Sequence, residues 1–246
     1  MTVPAARAEQ ARALMLELFP HGFEERDLDG SLEIAAYTDA GGEERVWHAF
    51  GGRGTATDVD AGWEDRWRDF HRPQRVGRLW VGPPWEEPDP DAVAIVVDPG
   101  RAFGTGSHPT TRLCLELLEA EERSSLLDVG CGSGVLSIAA AKLGFAPVVG
   151  LDFDPQAVEA TQRNAAANGV AVEARLADLR SDDLPPADLV VANIAADAVT
   201  ALSGKLGSGR AITSGYLVSD EPALAGYRRE RRVEYDGWAA DLHVRG

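Results

Sequence analysis

The segment Leu126–Leu136 carries the clearest chemical signal in the sequence. It begins as an apolar run containing Asp128, and three glycines follow at alternate positions: Gly130, Gly132 and Gly134. Glycines permit a sharp turn and close approach of a ligand to the backbone, and the helix beginning after them would offer free N–H groups to an anion. The spacing differs from the G-x-G-x-x-G of dinucleotide sites. We therefore expect a nucleoside with an amino-acid tail, with a plain glycine turn or a nicotinamide site as alternatives.

Two acidic residues follow the next predicted strands. Asp152 ends the strand after the glycine loop, where a carboxylate can accept both ribose hydroxyls of a nucleoside. Asp154 precedes Pro155 and fits the N-cap of the next helix, which leaves Asp152 available for a ligand. Asp178 follows the third strand and would bind the adenine amino group, or else be a solvated loop acid.

Asn193 lies at the end of another apolar run, residues 188–194. A buried amide is costly unless it is hydrogen-bonded. Asn193 therefore either caps the following helix or presents its amide in the active cleft, and we favour the cleft.

The loop at residues 98–111 is rich in turn formers, yet it contains Phe103 and His108. Phe103 would pack beside a sulfonium cation, a contact worth ~0.5–2 kcal/mol. Thr110 or Thr111 would cap the helix that follows. His108 is more typical of a structural hydrogen-bonding residue than of a general base.

The elements that position these residues alternate between strand and helix from Val76 onward, which predicts a doubly wound, mostly parallel α/β sheet of Rossmann-like type. Right-handed crossovers would bring the carboxyl ends of the strands to one edge, where ligands bind. The candidate strands are Arg78–Val81, Val93–Asp98, Ser125–Val129, Pro147–Leu151, Val172–Leu176, Asp188–Ala192 and Arg210–Thr213.

Residues 1–60 predict a small α+β domain, with a helix over residues 5–18 and two strands separated by the turn Leu28–Gly30. Residues 61–75 predict a helical linker, because Trp63, Trp67 and Phe70 share one helix face. Residues 76–246 form the predicted ligand-binding domain.

The net charge of −16 disfavours binding to nucleic acid and favours a basic partner. Cys114 and Cys131 show no metal-ligand spacing, so we expect no metal site and a reduced, cytoplasmic protein. No apolar run approaches the ~18 residues of a membrane span. We also expect a monomer.

Several motifs together resemble the PrmA family of ribosomal protein L11 methyltransferases. The most specific is Phe-Gly-Thr-Gly-Ser-His-Pro-Thr-Thr at residues 103–111. The glycine loop, Gly-Leu-Asp-Phe-Asp-Pro at 150–155 and Val-Val-Ala-Asn-Ile at 190–194 also fit, and the similarity runs from about residue 63 to 214. The N-terminal domain is shorter than is usual in the family, and residues 233–244 match loosely.

The resemblance implies a class I methyltransferase that uses S-adenosylmethionine to methylate lysine side chains or the α-amine of one basic ribosomal protein. It implies cofactor contacts at Thr111, Gly130, Asp152 and Asn193, to which the residue patterns add Gly132, Asp178 and Phe103. It also implies that the N-terminal domain recognises the protein substrate.

The reaction needs a neutral amine, although a free lysine has a pKa of ~10.4. We expect Asn193 to be the catalytic residue that accepts the amine N–H and aims its lone pair, with water taking the proton. The alternatives are a methyltransferase acting on a small amine or on a lysine of another protein, a nucleic-acid methyltransferase, and a non-catalytic binding module.

Overall fold

The computed structural model describes residues 1–8, 11, 14–15, 18, 24–28, 30–36, 40–52, 72–98 and 108–246. The chain forms two compact units, Met1–Glu64 and Asp65–Gly246. Residues 61–71 of the predicted linker and the predicted site residue Phe103 lie outside the described residues. Within the described ranges, no helix has the length and apolar character to cross a membrane.

The first unit contains a three-stranded antiparallel sheet in the order β1-β3-β2, with strands β1 (Thr2–Pro4), β2 (Glu24–Leu28) and β3 (Ser31–Ala35). A 3₁₀ helix (Ala5–Arg7) follows β1, and helix α1 (Ala40–Ala49) follows β3. Leu32 and Ile34 alternate with more exposed residues along β3 and pack against Ala11 and Met15. Gly30 has a φ of 76°, which suits the tight hairpin turn that the sequence predicted between β2 and β3.

The second unit is built on a seven-stranded sheet in the order β12-β13-β11-β10-β7-β8-β9. Its strands are β7 (Leu126–Val129), β8 (Val148–Asp152), β9 (Glu173–Leu176), β10 (Leu189–Asn193), β11 (Arg210–Leu217), β12 (Tyr227–Tyr235) and β13 (Trp238–Arg245). Strands β7 to β11 are parallel, whereas β13 runs antiparallel to both β11 and β12. Within the described part of this unit, the helices are α2 (Pro109–Ala120), α3 (Val135–Leu143), α4 (Pro155–Ala167) and α5 (Ala196–Ala201). The predicted doubly wound, mostly parallel α/β fold is confirmed.

Both faces of the central strands of this sheet are buried. Leu126, Val191 and Ile212 pack into a core with α2 and α3, whereas Leu127 and Val190 pack into a second core on the opposite face. Successive residues of a strand point to opposite faces, so a strand covered on both sides reads as a continuous apolar run. This is why β7, β8 and β10 were recognisable from sequence.

The first two candidate strands were wrongly assigned to the large sheet. They form a separate three-stranded sheet, β4-β5-β6, with β4 (Gln74–Val76), β5 (Leu79–Gly82) and β6 (Val93–Val96). Asn168 contacts β6 through both amide atoms: its Oδ1 accepts from Val96 N–H at 2.9 Å, and its Nδ2 donates to Val96 O at 2.6 Å. The Asn168 amide therefore occupies the backbone N–H and C=O of Val96, which a neighbouring strand would otherwise use.

The strand order creates a crevice between β7 and β10. The chain proceeds from β7 to β8 and β9 in one direction, and β10 and β11 lie on the other side of β7. Ligands of doubly wound sheets bind at such a switch point, outside the carboxyl ends of the strands. The glycine loop after β7 therefore faces the end of β10, where Asn193 lies.

Candidate functional site

A cavity of about 460 Å³ lies at the carboxyl edge of the seven-stranded sheet. Its walls come from the loops after β7, β8, β9 and β10, from β11, and from the start of β13. The lining residues include Gly130, Asp152, Phe153, Asp178, Asn193 and Trp238. The volume lies within the ~300–1,000 Å³ that is typical of small-ligand sites.

The glycine loop has the backbone conformation that the sequence predicted. Gly130 has a φ of 79°, and a Cβ there would lie 2.5 Å from Ile194 Cγ2. Gly134 is the N-cap of α3 with a φ of 85°, and a Cβ there would lie 3.0 Å from the Thr161 backbone. A side chain at either position would strain the backbone, and it would overlap the Ile194 side chain at Gly130 and crowd α4 at Gly134, so both positions favour glycine.

Asp152 ties this loop to β8. The Asp152 side chain accepts a hydrogen bond from Gly132 N–H at 2.9 Å and another from Asp154 N–H at 3.0 Å. Asp152 is 8% exposed and lines the cavity, whereas Gly132 is not among the lining residues. The carboxylate therefore orders the loop and still faces the cavity.

Asp154 is the N-cap of α4, accepting a hydrogen bond from Gln156 N–H at 2.8 Å, and Pro155 begins the helix. The predicted cap is confirmed. Asp178 lines the cavity after β9, and its Oδ1 accepts from Arg180 N–H at 2.8 Å. Asp178 is thus both a turn residue and a cavity residue.

Asn193 lines the cavity at the end of β10, and the N-cap of α5 is Ala195. The alternative that Asn193 caps this helix is therefore wrong. Its Nδ2 donates to Thr111 Oγ1 at 3.4 Å. Thr111 is 1% exposed and lies behind the wall, where it is placed to orient the Asn193 amide.

His108, and neither Thr110 nor Thr111, is the N-cap of α2. Its Nδ1 lies 3.3 Å from Thr110 N and 2.8 Å from Thr110 Oγ1. The predicted cap was wrong because Pro109 occupies the first helical turn, a position that proline favours. His108 lines the cavity, and burial lowers its pKa, which favours the neutral imidazole at physiological pH.

Sequence reasoning missed two aromatic residues of the cavity. Phe153 lies directly after Asp152 and is 77% exposed. The sequence offered a signal for it, because an aromatic residue directly follows the strand that ends at Asp152. Trp238 comes from the start of β13, and its ring lies 4.6 Å from the His108 ring in an edge-on arrangement. No local pattern connects Trp238 to residues so far away in the chain.

Asp128 is 1% exposed and is not among the lining residues. Its Oδ2 accepts from Ser137 Oγ at 2.6 Å, whereas its Oδ1 has no hydrogen-bond partner within the described part of the chain. Burial raises the pKa of Asp128 to about 7, and the Ser137 hydrogen bond partly opposes this shift. Asp128 therefore connects β7 to α3 behind the site.

The two ends of the cavity differ in chemistry. The end near β8 and β9 carries the carboxylates of Asp152 and Asp178, which suit hydroxyl and amino donors. The end near β10, β11 and β13 is formed by Asn193, Ile194 and Trp238 together with Gly215 and His108. That end offers an amide oxygen in mostly apolar surroundings. Among the described residues, no cluster of His, Cys, Asp or Glu could hold a metal ion.

Comparison with known proteins places this site in a family. A family model for ribosomal protein L11 methyltransferase (PrmA) matches residues 29–239. The ribosomal protein L11 methyltransferase of Aliivibrio fischeri (strain MJ11) is 48% identical over 184 residues, covering 70% of this chain and 62% of the relative. That of Azotobacter vinelandii is also 48% identical over 184 residues, covering 72% and 62%. The chain thus spans under two thirds of the length of these curated relatives.

The crystal structure of the ribosomal protein L11 methylase from Lactobacillus delbrueckii subsp. bulgaricus superposes on this chain with a TM-score of 0.64 and 32% sequence identity. The superposition covers 71% of this chain and 99% of that chain. The shared fold therefore includes most of the second unit's length.

Proposed function

The chain belongs to the ribosomal protein L11 methyltransferase family, and we propose that it transfers methyl groups from S-adenosylmethionine to amino groups of ribosomal protein L11. The observation that carries this proposal is the meeting, in one cavity, of the glycine loop, Asp152 and Asn193. These groups belong to different strands, and each suits a different part of a methyl transfer to an amine.

The residues present fit S-adenosylmethionine. The Asp152 carboxylate makes two backbone hydrogen bonds, and a carboxylate has about four acceptor positions, so it can also accept the ribose hydroxyls. Asp178 would accept the adenine amino group, and Phe153 offers an apolar surface to the base. Gly130 leaves the space into which a side chain would protrude, and Gly132 acts through its bond to Asp152. Bound S-adenosylmethionine supplies an electrophilic methyl group.

The opposite end of the cavity suits the acceptor amine. Ile194 and Trp238 would desolvate a lysine side chain, which disfavours the ammonium form. The Asn193 amide oxygen would accept one N–H of the neutral amine and direct the lone pair toward the methyl carbon, with Thr111 fixing the amide. The methylated amine would then lose its proton to water.

The remaining site and domain assignments extend this proposal. Phe103 would pack beside the sulfonium, and residues 1–60 would recognise the protein substrate. The net charge of −16 supports a basic partner, because opposite charge accelerates the encounter of two proteins.

The test is incubation of the purified chain with methyl-labelled S-adenosylmethionine and purified ribosomal protein L11, followed by mass spectrometry of the digested product. We expect label on lysine side chains or the α-amine of L11, and a much lower rate of labelling with the Asn193→Ala variant. A parallel incubation with free lysine and with a ribosomal-protein extract lacking L11 separates the alternatives. Label in either of these samples, with none on L11, would refute the proposed substrate.

A further inference from the structure

Three exposed or half-exposed apolar residues form a continuous row at the carboxyl edge of the large sheet. Trp238 is paired directly with Leu217 of β11 on one side and with Tyr235 of β12 on the other. Side chains of directly opposite residues lie on the same face, with Cβ atoms about 4.5–5.5 Å apart. Leu217 is 46% exposed and Tyr235 is 50% exposed, so the Leu217–Trp238–Tyr235 row presents apolar surface to solvent.

The row continues the wall of the cavity. Trp238 lines the cavity beside His108, whereas Leu217 and Tyr235 are not among the lining residues. The row therefore meets the acceptor end at its middle residue, Trp238, and extends from there onto both neighbouring strands. Adjacent strands are about 4.8 Å apart, so three strands give a row of about 10 Å, the length of about three residues of extended polypeptide.

The charges around the row favour a basic ligand. Asp236 is exposed in the turn of the β12–β13 hairpin, and Asp220 follows β11. The guanidinium of Arg112 lies over the Tyr235 ring at 4.9 Å, where it is a cation close to the row. Two carboxylates and one guanidinium thus accompany an apolar strip too long for a single small amine.

We propose that the Leu217–Trp238–Tyr235 row docks the polypeptide segment that carries the acceptor amine, with apolar side chains beside the modified residue packing on Leu217 and Tyr235. This inference rests on the proposed function and adds to it a specificity surface in the second unit. A lysine-bearing basic segment with apolar neighbours fits the row, whereas a free amine would fill the cavity and leave the row uncovered.

The experiment compares wild type with the double variant Leu217→Ser, Tyr235→Ser. The matched control is Leu176→Ser, which removes a 61% exposed leucine at the opposite edge of the same sheet. KM and kcat are measured with purified ribosomal protein L11, and affinity for S-adenosylhomocysteine is measured by calorimetry. A conservative pair, Leu217→Met with Tyr235→Phe, tests whether apolar surface is sufficient.

We expect the double variant to raise KM for L11 about tenfold, equivalent to about 1.4 kcal/mol, with kcat and cofactor affinity within about twofold of wild type. The control and the conservative pair should behave as wild type. An unchanged KM in the double variant would overturn the docking proposal. A loss of kcat and cofactor affinity together would also overturn it, because it would show that Leu217 and Tyr235 have a structural role. A wild-type dimer that the double variant dissociates would assign the row to a second copy of the chain. If wild type does not methylate L11, the proposed function fails, and the row loses its named ligand.

Discussion

Replacing Asp152 with alanine should separate its two tasks, ordering the glycine loop and binding the nucleoside. The substitution leaves Gly132 N–H and Asp154 N–H without their carboxylate acceptor. An unsatisfied buried donor costs roughly 1–3 kcal/mol, and solvent entering from the cavity would reduce this cost. We therefore expect a measurable loss of stability and a glycine loop that is less well ordered.

The effect on cofactor binding should be larger. Hydrogen bonds to a charged group contribute about 1.5–3 kcal/mol each, so losing the two ribose contacts should weaken binding by about 150-fold or more, equivalent to at least about 3 kcal/mol. Asp152→Asn keeps one acceptor oxygen and should lie between wild type and Asp152→Ala. Calorimetric titration with S-adenosylhomocysteine measures the affinity, and urea denaturation measures the stability of each variant.

Asp154→Ala is the matched control, because Asp154 is a neighbouring carboxylate that caps α4 and is not among the cavity residues. Loss of an N-cap costs about 1 kcal/mol of stability, and affinity should stay near the wild-type value. A folded Asp152→Ala protein that binds S-adenosylhomocysteine within twofold of wild type would refute the assignment of this carboxylate to the ribose.

Three further predictions follow from the site and the fold. Asn193→Ala should lower kcat by about 100-fold, which is the effect expected of a misaligned reacting group, while cofactor affinity changes only modestly. Wild-type turnover of this variant would show that Asn193 does not orient the acceptor amine. Burial raises the folded-state pKa of Asp128 from 3.8 to about 7, so the contribution of Asp128 to the free energy of unfolding should fall as pH rises through that interval. The stability of Asp128→Asn relative to wild type should therefore be higher at pH 8 than at pH 4. Parallel pH–stability curves for the two proteins would contradict this. A fragment beginning near residue 61 should bind S-adenosylhomocysteine but methylate L11 poorly; full activity of the folded fragment would show that residues 1–60 are not the recognition domain.

Local patterns in the sequence were sufficient for the parts of the site that depend on neighbouring residues. The glycine loop, the strand before it and the helix after it follow from backbone sterics within about ten residues of Gly130. The cap at Asp154 needs only its own side chain and Pro155. The parallel sheet could be predicted because strands buried on both faces are apolar throughout.

Sequence reasoning missed β12 and assigned β6 to the wrong sheet, because no local pattern records the features on which these strands depend. Strand β12 contains four arginines, at positions 228, 229, 231 and 232, and lies at the sheet edge, where charged side chains are favoured because they discourage further pairing. Because of these arginines, the sequence of β12 lacks the apolar pattern that predicts a strand. Strand β6 resembles a member of the large sheet, but it pairs with β5 on one side, and Val96 bonds on the other to the side chain of Asn168, 72 residues away.

The sequence by itself determined which kinds of groups the site contains: a glycine turn, a carboxylate after the next strand and an amide after another. Only the tertiary structure decided which of them meet. The order of strands brings Asn193 to Thr111, 82 residues away, and Asp152 to Gly132, 20 residues away. It also brings Trp238 from the end of the chain to His108. Such pairings are set by sheet topology and side-chain packing, because residues distant in sequence share no local geometry until the sheet has formed.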